Sequence, residues 1–66
     1  MNIQINGEQR EVSESLSVTE LLVELDLNPS LVVVELNREI LDRSRYEETR
    51  IREGDVLELV HFVGGG

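Results

Sequence analysis

A chain of 66 residues with 14 acidic and 6 basic side chains, a net charge of −8 and no cysteine is tightly bounded. It is one small domain without a disulfide or a thiolate metal site. Its single histidine cannot build a zinc site, and its charge repels phosphate backbones, which excludes nucleic acid as a partner.

Met1, Ile3 and Ile5 alternate with Asn2 and Gln4, the period of a half-buried strand. Asn6-Gly7 follows, the dipeptide that best suits a tight hairpin turn because both of its positions need positive φ. Residues 8–12 return as a polar edge strand. Leu16-Ser17-Val18-Thr19-Glu20-Leu21 reads as a helix start. Ser17 caps the amide of Glu20, Glu20 reaches back to Ser17, and Leu16 with Leu21 forms a hydrophobic staple. Val18, Leu21, Leu22 and Leu25 make one apolar stripe. Pro29 is expected to end this helix, which spans about residues 17–26.

Leu31 to Val34 is continuously apolar and predicts a central strand buried on both faces. Asn37-Arg38 interrupts it and Ile40-Leu41 resumes, so a second reversal is expected, with the turn type open because Arg38 is awkward at positive φ. Residues 42–50 are polar, a loop or short helical turn, and Tyr46 within them is expected to plug the core. Arg52-Glu53-Gly54-Asp55 is a turn. Val56 to Val63 is the last strand and runs straight into Gly64-Gly65-Gly66.

The order β-β-α-β-β-β predicts an α+β fold. A mixed sheet of four to five strands packs on one helix, with the first and last strands at its centre and able to run parallel. That outline is a β-grasp, the ubiquitin-like architecture. The expected division is a β-grasp domain over residues 1–63 and a flexible glycine tail over residues 64–66.

The tail is the feature with chemical content. Three glycines leave the terminal carboxylate of Gly66 without steric protection. Such an end can lie extended in a narrow channel of another protein, with Gly64 and Gly65 threading it. The competing reading is an ordinary frayed terminus. In the last strand, Val60, Phe62 and Val63 are candidates for docking a partner, provided that Leu57 and Leu59 point inward and leave Val60 and Phe62 exposed.

Catalytic machinery is sparse. There is no cysteine nucleophile and no phosphate-binding glycine loop, and a serine–histidine pair would have to use the lone His61 with a third group to orient it. Glu47-Glu48 reads as solvated charge. A domain of this size has little room for a cleft. The chain therefore reads as something another enzyme works on.

The pieces Leu16-Ser17-Val18 through Leu22, Val32-Val33-Val34 with Asn37, Glu53-Gly54-Asp55 and Val60-His61-Phe62-Val63-Gly64-Gly65-Gly66 together resemble the ThiS family of sulfur carriers. The likeness covers essentially the whole chain. Arg38 departs from it, because members often carry glycine there. The resemblance implies that a ThiF-type adenylyltransferase uses ATP to activate the Gly66 carboxylate as an acyl-adenylate, while the carrier itself binds no cofactor or metal. Sulfur from a persulfide donor then gives a thiocarboxylate, which thiazole synthase consumes in making the thiazole of thiamin. It implies a cytoplasmic monomer that is not an enzyme and meets neither membrane nor nucleic acid. The rival readings are a molybdopterin synthase small subunit, a carrier for another sulfur pathway, and, in a different class, an unmodified β-grasp interaction domain.

Overall fold

The computed structural model of the chain describes residues 1–62. Five strands form one sheet: β1 (Asn2–Ile5), β2 (Glu8–Glu11), β3 (Val32–Leu36), β4 (Glu39–Leu41) and β5 (Val56–His61), in the order β2-β1-β5-β3-β4. A single helix, α1 (Val18–Glu24), covers one face. β1 and β5 run parallel, which the crossover through α1 permits, and the other pairs are antiparallel. The sheet is thus the expected mixed β-grasp at the upper of the two strand counts.

The core lies between α1 and the sheet. Ile3 and Ile5 come from β1, Val18, Leu21 and Leu22 from α1, Val32 and Val34 from β3, and Leu57 from β5. Val12, Tyr46 and Ile51 close its margins. Tyr46 is 3% exposed. Its hydroxyl donates to the Val32 carbonyl at 2.8 Å and accepts from the Val34 amide at 3.1 Å. It is the expected plug, and it also satisfies two backbone groups of β3. Among the described residues every buried side-chain polar atom has a hydrogen-bond partner.

α1 starts as its sequence requires. Ser17 Oγ accepts from the Glu20 amide at 3.1 Å, and Glu20 Oε1 accepts from the Ser17 amide at 2.8 Å. Replacing Ser17 with alanine is expected to cost about 1 kcal/mol in a urea melt. The amide and hydroxyl of Ser17, with a smaller contribution from Arg50, hold the Glu20 carboxyl below its ordinary value of 4.5. A lowered carboxyl stabilises the fold fully above its unfolded value, and that contribution is lost as pH falls through the lowered one. Glu20→Gln should therefore cost stability at neutral pH and progressively less in acid below about 4.5, read as converging unfolding midpoints.

The helix ends earlier than its stripe suggests, and Pro29 is not what ends it. Asp26 sits at φ 65, and the Leu27 and Asp26 amides bond back to the Leu22 and Val23 carbonyls at 2.8 and 2.9 Å. This is a Schellman cap with aspartate in the place usually held by glycine. Pro29 instead begins a separate 3₁₀ turn, Pro29–Leu31, capped by Asn28. A second 3₁₀ turn, Arg43–Arg45, lies in the polar segment before Tyr46.

β3 is not the buried centre that its apolar run suggests. β5 takes the middle position in the strand order, as expected of the last strand, and Val33 and Glu35 on the far side of β3 are only half-buried. A continuous apolar run marks burial on both faces only where both faces are covered, and α1 covers one. The β3–β4 connection is a two-residue hairpin, with Asn37 at φ 50 and Arg38 at φ 73. Both angles are positive, as a type I′ turn requires. Arg38 therefore carries backbone strain, and Arg38→Gly should raise stability by about 0.5–1 kcal/mol, a few degrees in a thermal melt.

Candidate site at the end of the last strand

β5 is paired along its length by β3 and at its start by β1. β3 pairs with it from Val32↔His61 to Leu36↔Leu57, and β1 pairs with its start through Gln4↔Val56 and Ile5↔Leu57. The Phe62 amide donates to the Leu31 carbonyl at 2.8 Å, carrying the ladder one residue further. The chain is thus fixed in position and direction up to Phe62. Val63, Gly64, Gly65 and Gly66, all candidate site residues, lie outside the described residues.

Two asparagines anchor this strand. Beyond the end of β1, Asn6 Oδ1 accepts from the Leu59 amide at 2.7 Å, and its Nδ2 donates to the Leu59 carbonyl at 3.2 Å. The side chain stands in for the backbone that β1 no longer provides. At the other end, Asn37 Oδ1 accepts from the Val56 amide at 2.9 Å, and its Nδ2 donates to Asp55 Oδ1 at 3.1 Å. Asp55 Oδ2 in turn accepts from the Arg52 amide at 2.8 Å, closing the turn that Gly54 makes at φ 85. Local sequence marks both asparagines as turn residues. It carries no sign of their second role, which depends on β5 lying alongside.

The alternation along β5 sorts its side chains as expected. Leu57 is fully buried under α1 and Leu59 half-buried, while Val60 and Phe62 are 56% and 54% exposed on the opposite face. Register adds residues that periodicity alone does not mark. Val33 stands beside Val60, and Glu35 stands between Glu58 and Ile40, which is 75% exposed. The result is an apolar ledge carrying a pair of directly opposed carboxylates. Such like-charge pairs cost stability across a sheet, and a cationic partner group would relieve them. Period-two patterning of β3 could have put Val33 and Glu35 on one face, but only the register places them against β5.

Among the described residues no serine–histidine pair forms at this site. His61 is exposed, and its side chain makes no hydrogen bond among the described residues. Ser17 is engaged as a cap, and Ser44 Oγ donates to Asp42 at 2.8 Å. A surface depression of about 420 Å³ lies at the opposite end of the sheet and is lined by Met1, Glu14, Ser15 and Arg50 to Glu53, with no histidine. No group of three or more metal-ligating side chains occurs among the described residues, and none of their helices is long and apolar enough to cross a membrane.

Comparison with known proteins gives this geometry a context. The profile of the ThiS family matches residues 3–66. The sulfur carrier protein ThiS of Bacillus subtilis is 38% identical over 65 residues, covering 97% of this chain and 98% of its own length. A thiazole synthase of Paramagnetospirillum magneticum is 46% identical over 66 residues, and this chain spans only 20% of its length. The crystal structure of a thiamine biosynthesis protein (ThiS) from Geobacter metallireducens superposes with a TM-score of 0.84 at 43% identity, with both chains fully covered. A β-grasp body matched by the family profile over residues 3–66, with a sulfur carrier relative 38% identical and covered almost end to end, places this chain in the ThiS family.

Proposed function

We propose that the chain is a sulfur carrier for thiazole formation in thiamin biosynthesis, with the carboxylate of Gly66 as the group that carries sulfur. The observation that bears most weight is the path of β5. A central strand, paired with β1 at its start and with β3 along its length, holds the chain up to Phe62, four residues before the terminal glycine. A rigid strand followed by unhindered glycines can deliver a carboxylate into another protein's channel at little steric cost. The match to a Bacillus subtilis protein named as a sulfur carrier supports the same reading.

A carboxylate is a poor acyl donor until it has a leaving group. In this reading an adenylyltransferase of the ThiF type supplies one. A Gly66 oxygen attacks the α-phosphorus of ATP, pyrophosphate leaves, and an acyl-adenylate forms. The terminal sulfur of a persulfide then attacks the acyl carbon and AMP leaves. A thiol cleaves the remaining S–S bond, which frees the thiocarboxylate. All of this chemistry belongs to the partners. The carrier's part is to present the acyl group and to dock, with Gly64 and Gly65 in the channel and Val60, Phe62 and Val63 against its mouth. Thiazole synthase is proposed as the acceptor, because proteins of that name contain a region similar to this whole chain. The acidic ledge around Glu35 and Glu58 fits cationic groups on a docking enzyme.

The test is intact-mass measurement of the protein isolated from thiamin-starved cells that contain the partner enzymes. Exchange of one oxygen for sulfur at the terminus is the expected result. Its complete absence would favour a β-grasp interaction domain that is never modified.

A further inference from the structure

On the helix side of β5, opposite the exposed Val60 and Phe62, lies a groove of about 240 Å³ lined by Ile5, Asn6, Arg10, Leu25, Leu27, Leu59 and His61. It exists because α1 stops early. The Schellman cap at Asp26 turns the chain away and leaves Leu25 and Leu27 as half-buried walls beside β5. Its floor is apolar, and two of its lining side chains, Arg10 and His61, are basic and exposed. That rim is unusual in a chain with a net charge of −8. The Arg10 side chain makes no hydrogen bond or ion pair among the described residues, whereas Arg45 and Arg50 both form ion pairs. Glu8, which stands opposite Ile5 across the β1–β2 pair, is not part of the lining.

We infer that this groove receives an aliphatic or aromatic side chain of thiazole synthase that has an aspartate or glutamate next to it, so that β5 is held from both faces as the tail enters the enzyme. The inference rests on the sulfur-carrier reading. At about 240 Å³ the groove is smaller than the ~300–1,000 Å³ usual for small-molecule sites, and it suits a single anchoring side chain. Such anchors in apolar pockets dominate interface energetics. The two faces also differ in charge. The outer ledge carries Glu35 and Glu58, whereas the charged residue lining the groove is Arg10. A partner complementary to both can bind in one orientation only, and that orientation fixes where the residues after Phe62 point. A second copy is a poorer occupant, because two bodies of charge −8 repel.

The test uses methyl-labelled full-length carrier and unlabelled thiazole synthase, read by cross-saturation NMR and titration calorimetry. Saturation is expected at the methyls of Leu25 and Leu27 as well as at Val60. Arg10→Glu should weaken binding at least tenfold. Leu27→Phe, which fills the groove with another apolar group, should weaken it similarly while the thermal melt stays cooperative. Saturation at Val60 alone, with both variants binding as wild type, would overturn the groove proposal and leave the carrier reading in place. No binding of any kind would overturn both. The same saturation in a mixture of labelled and unlabelled carrier alone, with a dimer in sedimentation, would assign the groove to a second copy instead.

Discussion

Gly65→Val is expected to leave the fold intact and to lower the rate of adenylation by the activating enzyme by at least about 100-fold, the scale of loss that a misplacement of order 1 Å produces at a reacting centre. The substitution adds a branched β-carbon one residue from the carboxylate that must react. The chain up to Phe62 is set by β5 and its neighbours, so the body cannot shift along the channel to compensate without losing its own docking contacts. A bulky group near the end therefore displaces the acyl carbon. The measurement is ATP–pyrophosphate exchange with purified adenylyltransferase, alongside thermal melts of both carriers. Equal melts with a collapsed exchange rate are expected. Normal exchange by the variant would mean that the channel is wide at this position and that tail threading does not limit activation.

The second large effect is on stability. Leu57→Ala is expected to remove about 2–5 kcal/mol, the range for deleting a large buried aliphatic side chain. Leu57 is 0% exposed, in the central strand, with β1 on one side and β3 on the other. The cavity would open under α1, where backbone ladders on both sides limit collapse. A domain of this size has a net core worth of only about 3–5 kcal/mol, so the variant should be largely unfolded at 37 °C or close to it. Urea titration followed by circular dichroism reads the loss. Ile40→Ala, at a position 75% exposed, serves as the control and should fall within about 0.5 kcal/mol of wild type. A loss below about 1 kcal/mol at Leu57 would mean that the core repacks readily, contrary to the dense packing expected of a protein interior.

Much of the candidate site is legible in the order of residues alone. Alternation along residues 56–62 separates Leu57 and Leu59 from Val60 and Phe62, because the side-chain period of a strand is two whatever its neighbours are. The capping box at Ser17 and Glu20 and the turn at Gly54-Asp55 are equally legible, since each is closed by residues within four positions of one another. Everything that register decides is hidden from such a reading. Val33, Glu35 and Ile40 join the exposed ledge only through pairings across three strands. The groove by Arg10 and His61 needs the sequence-distant residues Ile5, Leu25 and Leu59 to meet. Local spacing carries no information about such meetings.

The amino-acid sequence by itself determined the element order, the apolar stripe of α1, the parallel option for the outermost strands of the chain, and an acidic body ending in bare glycines. These follow from local periodicity, turn chemistry and composition. Tertiary structure alone decided that β3 is buried on one face only, that Asp26 rather than Pro29 ends the helix, and that Asn6 and Asn37 act as anchors of β5. The reason is physical. A strand's place in a sheet, and the partner of a polar side chain, depend on which backbone groups are left unpaired once the whole sheet has assembled. A residue's immediate neighbours in the chain do not specify that.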